Sequence, residues 1–271
     1  MTSVYQALAT LEEQNQAGVL CTIINSQGST PRHTTSKMLV YPDGTIVGTI
    51  GGGEMERRVI DEALAALHDK QPRKLAYQMT DPARGDPGVC GGQVEIFVEP
   101  VLPKPTLLLI GAGHVGKAVA YLADWLGFQV VVSDDRSEFC NPQAVPGGKI
   151  FLPVPLKEIP SRYAITPWTY IVLTTRGSNV DVVGLPALLE SSAAYIGVIG
   201  SRRRWETTRR ELIAAGISTE KLDLVHSPIG IELNAETPEE IAVSIMAEVL
   251  MVLHSGSGKT MSASTSQTGQ K

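Results

Sequence analysis

The segment TLLLIGAGHVG, residues 106–116, constrains the fold more than any other stretch of this chain. An apolar run leads into a G-x-G-x-x-G turn, and KAVAYLADWLG, which has the pattern of a helix, follows it. The next apolar run, FQVVVSDD, ends in Asp134 and Asp135, about 20 residues after the glycines. This order is typical of the first strand–helix–strand unit of a Rossmann domain, in which the helix N-terminus faces a phosphate group.

The three glycines of this turn have separate predicted roles. Gly111 allows the tight turn, Gly113 lets a pyrophosphate approach the backbone, and Gly116 lets the helix pack closely on the strand. Asp134 is the candidate carboxylate for a ribose hydroxyl. His114 is a candidate hydrogen-bonding residue rather than a metal ligand, because no partner stands at metal-ligand spacing. A domain that has the Rossmann shape but binds no dinucleotide is the open alternative, since a fold does not determine a function.

The rest of the sequence divides into two domains and a tail. After the linker-like VLPKP, the runs YIVLTT, AAYIGVIG and LDLVHSP alternate with helical patterns. This alternation predicts a Rossmann-like, mostly parallel sheet over residues 103–255. Residues 1–102 mix helical patterns with strands and a hairpin at Asp43 and Gly44, which predicts a smaller α+β domain. Residues 256–271 are rich in Ser, Thr, Gly and Gln, a composition that favours a disordered tail. The predicted fold class is therefore α/β.

Composition excludes several classes of protein. The 271 residues carry a net charge of −5, which does not favour binding to nucleic acid or to a membrane surface. No apolar run is long enough to span a membrane, and the start of the chain does not have the pattern of a secretion signal. The three cysteines are far apart and have no CxxC spacing, so we expect reduced thiols and a cytoplasmic location. Cys21 is predicted in the core, and Cys140, which precedes Asn141 and Pro142, is predicted in an exposed loop.

Arginines follow the predicted strands of the Rossmann-like domain, where open α/β sheets bind ligands. Arg136 is a candidate for a 2′-phosphate or another anion, and the alternative is an ion pair with one of the two preceding aspartates. Arg176 is a candidate of the same kind, with a local pair to Asp181 as its alternative. Arg202 and its two arginine neighbours begin a helix, where the helix dipole disfavours positive charge. A bound anion would relieve this cost, so we interpret this cluster, and Arg202 in particular, as anion-binding. The alternative is a solvated arginine face.

Two polar glycine turns stand out in the N-terminal domain. QGSTPRHTTS, residues 27–36, offers backbone N–H groups and hydroxyls for an anion. GTIGGGEME, residues 48–56, places three glycines at a helix start, either for close approach of a ligand or for tight packing. The candidate cofactor-binding residues of these turns are Gly28, Ser29, Thr30, Arg32, Gly51, Gly52, Gly53 and Glu54.

Cys90 lies in a third glycine turn, DPGVCGG, just before an alternating strand. Gly91 and Gly92 do not crowd the thiol, so another group can approach it closely. A thiol in such a turn is a candidate functional residue if a helix start or an arginine lowers its pKa. The alternative is a small buried thiol, since free cysteine is among the most buried residue types.

Taken together, GSTPR, GTIGGG, CGG, GAGHVG, YIGVIGSRRR and AETPEEIAVSI resemble the XdhC/CoxI family, from about residue 5 to residue 254. These are accessory proteins of xanthine dehydrogenase and carbon monoxide dehydrogenase. The resemblance implies binding of molybdenum cofactor, support of its sulfuration and its delivery to a molybdenum hydroxylase. It implies that the apo-hydroxylase and a cysteine desulfurase are partners, and that Cys90 is a molybdenum ligand or handles sulfur. Ser178 stands where similar proteins often have a histidine, so no histidine-dependent role is expected there.

Two other functions remain open alternatives. An NAD(P)-dependent oxidoreductase would use the Rossmann fingerprint, with His114 or Glu54 as acid or base, but the sequence shows no paired catalytic constellation. A nucleotide-sensing regulator would bind nucleotide without catalysis. The last helix begins with the capping sequence TPEE, residues 237–240, and carries a long apolar stripe that makes a homodimer plausible.

Overall fold

A computed structural model of the chain describes residues 2–30, 34–80, 86–88 and 91–262. The chain forms two compact units, Met1–Pro103 and Lys104–Lys271, here called the N-terminal and C-terminal units. Among the described residues, none of the helices is both long and apolar enough to cross a membrane. Most of the tail predicted to be disordered, residues 263–271, lies outside the described part of the chain.

The N-terminal unit is a five-stranded antiparallel sheet with two helices. The sheet order is β3-β2-β1-β5-β4, and its centre is the long pair β1–β5. Chain order places one helix before the sheet and one between its third and fourth strands. The elements are α1 (Val4–Glu13), β1 (Gly18–Gln27), β2 (Lys37–Val40), β3 (Ile46–Gly48), α2 (Gly53–Asp69), β4 (Arg73–Gln78) and β5 (Gln93–Val101).

The core of this unit lies between the sheet and α2. Met55, Val59 and Ala63 recur every four residues along α2 and are fully or nearly fully buried, so they form the apolar stripe that packs on the sheet. Cys21 lies in the same core, as its apolar surroundings predicted, and burial raises its pKa to about 12. The predicted hairpin at Asp43 and Gly44 is confirmed, because β2 and β3 pair antiparallel on either side of it.

The C-terminal unit is a six-stranded parallel sheet. Its order, β11-β10-β9-β6-β7-β8, is that of a Rossmann domain, with the order reversing between β6 and β9. The prediction of an α/β fold with a parallel C-terminal sheet is therefore confirmed. The elements are β6 (Thr106–Ile110), α3 (His114–Trp125), β7 (Gln129–Ser133), β8 (Ile150–Leu152), a 3₁₀ turn (Leu156–Glu158), α4 (Ile159–Arg162), β9 (Thr169–Leu173), α5 (Ser178–Leu189), β10 (Tyr195–Val198), α6 (Arg202–Ala214), α7 (Thr219–Leu222), β11 (Val225–His226) and α8 (Pro238–Leu253).

Helices cover both faces of this sheet, which is why its central strands are apolar at every position. Leu107 and Leu109 of β6 pack on the side of α3 and α8, whereas Leu108 and Ile110 pack on the side of α5 and α6. All five residues of β6 are buried, as expected of a strand enclosed on both faces.

Two details of this unit concern the sequence predictions. The capping box of α8 is confirmed: Thr237 accepts a hydrogen bond from the backbone of Glu240, and the Glu240 carboxylate accepts one from the backbone of Thr237. The prediction that Cys140 is exposed is wrong. Its thiol is buried and donates to the carbonyl of Val132, 3.3 Å away on β7, so the loop folds back over the sheet.

Candidate functional site

A cleft of about 510 Å³ opens at the carboxyl ends of β6, β7 and β9 in the C-terminal unit. It lies where the strand order reverses, the position at which open α/β sheets bind ligands. The structure brings six of the predicted site residues to its walls. They are Gly111, Gly113, His114, Asp134, Arg136 and Arg176.

The glycine turn before α3 has the local geometry that its sequence predicted. Gly111 has φ 97°, and a Cβ there would lie 2.6 Å from the carbonyl oxygen of Thr174. A Cβ on Gly116 would lie 2.1 Å from the carbonyl oxygen of Gly111, so both positions have no room for a side chain. Gly113 differs, because no atom of the described residues would lie within 4 Å of a Cβ there. Glycine at 113 therefore keeps open space above a helix N-terminus that has no side-chain cap.

Asp134 is bound to its own protein rather than free for a ribose. Its two carboxylate oxygens accept hydrogen bonds from the backbone N–H of Ala112 at 2.9 Å, and from the backbone, Nε and Nη2 of Arg136 at 2.8 to 3.0 Å. Burial acts to raise its pKa, but the hydrogen bonds from Arg136 and Ala112 outweigh burial and hold the pKa below its ordinary value. A carboxylate has about four acceptor positions, so these four donors fill them.

The arginines at the strand ends are also paired. Arg136 forms the ion pair with Asp134 that was left open as its alternative, and its guanidinium stacks on Phe139 at 4.0 Å. Arg176 pairs with Asp135, at 3.0 and 3.1 Å, so the local pair to Asp181 is wrong.

Asp181 is instead fully buried beside Arg204, 2.6 Å away, and Thr175 donates to the same carboxylate. This buried pair ties α5 to α6. Arg202 and Arg203 lie in the first turn of α6, and among the described residues neither lines the cleft. The structure therefore does not bring the predicted anion cluster at residues 202–204 to the ligand cleft.

Ser133 is a residue of the cleft that sequence reasoning missed. It is the last residue of β7 and is 1% exposed, and within the described part of the chain its hydroxyl has no hydrogen-bond partner. Buried hydroxyls are nearly always paired, so an unpaired one in a cleft wall is a candidate contact for a ligand. The only sequence signal for this residue was its position at the end of an apolar strand, just before two aspartates.

In the N-terminal unit the structure brings two of the predicted turns into contact. A Cβ on Gly92 would lie 2.3 Å from the carbonyl oxygen of Ser29 and 2.7 Å from the methyl group of Thr30. Gly28 has φ 73°, and its Cβ position lies 3.1 Å from the carbonyl oxygen of Gly91. The turn at residues 28–30 therefore packs directly on the one at 91–92, and glycine is needed for that approach. Arg32 and Cys90 lie outside the described residues.

The turn at residues 51–53 is ordered by Glu56 rather than by Glu54. The Glu56 carboxylate accepts hydrogen bonds from the hydroxyl of Thr49 and from the backbone N–H groups of Ile50 and Gly52, at 2.5 to 3.2 Å. Gly51, Gly52 and Gly53 all have positive φ, which explains three successive glycines.

Glu54 lies on the surface of α2 and pairs with Arg57 and Arg58. Hydrogen bonds from these two arginines lower its pKa to about 2. A carboxylate with so low a pKa is a poor general base at neutral pH. Among the described residues, no group of three or more His, Cys, Asp or Glu side chains is arranged to hold a metal ion.

The chain is a two-unit α/β protein. One unit is a Rossmann domain with a cleft at its strand ends, and the other is an antiparallel sheet with two glycine turns in contact. Comparisons with known proteins give the family. A family model described as the XdhC Rossmann domain matches residues 107–249, and one described as the XdhC and CoxI family matches residues 11–78. The chain belongs to the XdhC/CoxI family.

Three curated proteins are similar to the chain. The Escherichia coli protein YqeB is 37% identical over 99% of this chain and 50% of its own length. A Bacillus subtilis protein described as a probable subunit of xanthine dehydrogenase is 32% identical over 57% of this chain and 45% of its own. The E. coli molybdenum cofactor insertion chaperone PaoD is 23% identical over 88% of this chain and 84% of its own. The chain thus spans about half the length of YqeB and of the B. subtilis protein.

A solved structure extends the similarity of fold to nearly the whole chain. The crystal structure of a protein described as a xanthine dehydrogenase from Bacillus halodurans superposes with a TM-score of 0.51. It covers 97% of this chain and 98% of its own, at 23% identity.

Proposed function

We propose that this protein is a maturation factor that binds molybdenum cofactor, supports its sulfuration and inserts it into a xanthine dehydrogenase-type hydroxylase. The observation that carries the proposal is the contact between the turn at residues 28–30 and Gly91-Gly92, the two residues that follow Cys90. Two glycine turns from distant parts of the sequence are held together next to a cysteine in the chain. Membership of the XdhC/CoxI family and the similarity to a molybdenum cofactor insertion chaperone support the same function.

Cys90 is the proposed contact with the cargo. Thiolate is a soft ligand that suits transition metals coordinated by sulfur. The cofactor is cargo in this proposal, so Cys90 either ligates its molybdenum or handles the sulfur that the metal receives. A transfer factor needs two transient partners, a cysteine desulfurase as sulfur donor and the apo-hydroxylase as acceptor. We also propose that the factor is a homodimer. Small polar interfaces suit partners that must separate again.

The first test measures which small molecule leaves the cell with the protein. The full chain is purified from cells that make molybdenum cofactor, denatured and oxidised, and the released pterin is measured by fluorescence alongside molybdenum by mass spectrometry. Wild type and Cys140→Ser, which keeps a donor to Val132, should carry pterin and molybdenum. Cys90→Ser should lose molybdenum if the thiolate is a ligand. If it handles sulfur, the variant should keep the cofactor but fail to activate apo-hydroxylase.

A nucleotide-binding role of the C-terminal cleft is the second candidate. It is favoured by the unpaired hydroxyl of Ser133 and by the open space at Gly113 above an uncapped helix N-terminus. An oxidoreductase or a nucleotide sensor would use this cleft. If the purified protein carries NAD(P) and no pterin, the proposal of a maturation factor is wrong and one of these two functions takes its place.

A further inference from the structure

Beyond the glycine turns, the N-terminal unit has a row of three glutamines on adjacent strands. Gln27 of β1 stands opposite Gln93 of β5, which in turn stands opposite Gln78 of β4. Residues directly opposite each other point to the same face of a sheet, with Cβ atoms about 5 Å apart. The three amide side chains therefore form one line roughly 10 Å long. We call these three residues the glutamine row.

The glutamine row differs from the next row of the same face. There, Glu95 is bound by Lys74 at 2.7 Å and by the amide of Asn25 at 3.3 Å. Within the part of the chain that the structure describes, no side chain or backbone group hydrogen-bonds the amides of Gln27, Gln78 or Gln93. Each amide thus keeps a donor and an acceptor for another molecule.

The glutamine row lines a cavity of about 650 Å³ in the N-terminal unit. Its size lies within the range of small-molecule sites. The charged side chains of its lining, Arg58, Asp86 and Glu95, are each bound within the chain. The row also adjoins the two apposed turns, because Gln27 precedes Gly28 and Gln93 follows Gly92 in the chain.

The lining indicates the chemical class of the ligand. A carboxamide presents a carbonyl and an NH₂ group side by side, which match the adjacent acceptor and donor on the edge of a heterocyclic base. Three neutral amides, beside charged side chains that are already bound within the chain, suit a neutral ring better than a phosphate group.

We propose that the glutamine row binds the edge of a fused, hydrogen-bonding heterocycle, the pterin of the cargo, next to the turn that follows Cys90. This inference rests on the proposed function for the identity of the heterocycle. The direct test is titration of 6-hydroxymethylpterin with purified full-length protein, followed by the fluorescence anisotropy of the pterin. The variants are Gln93→Ala and the triple alanine variant of the row, and Gln71→Ala is the matched control, an exposed glutamine of the same unit that does not line the cavity.

Wild type and Gln71→Ala should bind the probe equally, and the triple variant should bind at least about tenfold more weakly, since three hydrogen bonds are lost. Gln93→Ala, at the centre of the row, should give a smaller loss in the same direction. Unchanged binding by the triple variant, or no binding by wild type at millimolar probe, would overturn the assignment. Wild-type protein that binds the probe through the row but leaves the cell without pterin would instead refute the proposed function alone.

Discussion

Replacing Gly116 by alanine tests the packing of the glycine turn on the Rossmann sheet. The new Cβ would lie 2.1 Å from the carbonyl oxygen of Gly111, which also accepts a hydrogen bond from the hydroxyl of Thr174 at 2.5 Å. The backbone must move by about 1 Å to relieve the overlap, and overpacking of this kind costs roughly 1–3 kcal/mol. Alanine's better helix propensity offsets up to about 1 kcal/mol of that cost. We expect a net loss of about 1–2 kcal/mol in the free energy of unfolding.

The assay follows tryptophan fluorescence in urea, because all three tryptophans lie in the C-terminal unit. Gly113→Ala is the matched control. Its φ of −71° suits alanine and its Cβ has no neighbour within 4 Å, so only the weaker N-cap preference of alanine remains, worth less than about 1 kcal/mol. A Gly116→Ala variant as stable as wild type, or a Gly113→Ala variant that loses as much, would refute the packing argument.

Three further predictions concern other parts of the chain. Arg204→Met leaves the fully buried Asp181 carboxylate without its cation and should cost about 3–5 kcal/mol in urea unfolding, whereas Arg209→Met, in an exposed pair, should cost less than about 1 kcal/mol. Burial acts to raise the pKa of Glu248, but its hydrogen bonds outweigh burial and lower the pKa in the folded state. The stability that the Glu248 carboxylate contributes is therefore complete above the unfolded pKa near 4.3 and is lost as pH falls through the folded pKa. Glu248→Gln should flatten the acid limb of a plot of urea midpoint against pH. Gly92→Ala should cost the N-terminal unit about 1–3 kcal/mol and speed hydrogen exchange in β1 and β5, while the tryptophan transition of the other unit stays unchanged.

The parts of the fold that local sequence determines were predictable. The run TLLLIGAGHVG predicted a buried strand, a turn and a helix, because glycine conformations and apolar runs are local properties. The alternation of strands and helices implied a helix between β9 and β10, but the residues of α5 give little local signal for it. Pro186 lies within it, and its apolar residues show almost no helical periodicity, so only its packing between the sheet and α6 stabilises it as a helix.

The pairing of charges was beyond sequence reasoning because the partners are distant in the chain. Asp135 follows β7 and Arg176 follows β9, and only the order of the parallel sheet, in which these strands flank β6, brings the two side chains within reach. Residues 28–30 and 91–92 meet for a similar reason, since β1 and β5 are adjacent although four elements separate them in the chain. The sequence identified these residues as candidates, but it gave no signal for which of them are in contact.

These pairings decide what the Rossmann cleft is able to recognise. Asp134 already accepts four hydrogen bonds, so a ribose diol would have to displace Arg136 or the backbone of Ala112 to reach it. That exchange would leave a guanidinium or a buried N–H group unpaired, a cost of about 1–3 kcal/mol for each lost partner. The groups that remain for a ligand include the uncapped N-terminus of α3 and the hydroxyl of Ser133, which suit an anion. A cleft built this way favours a phosphate-bearing ligand without a recognised diol over NAD.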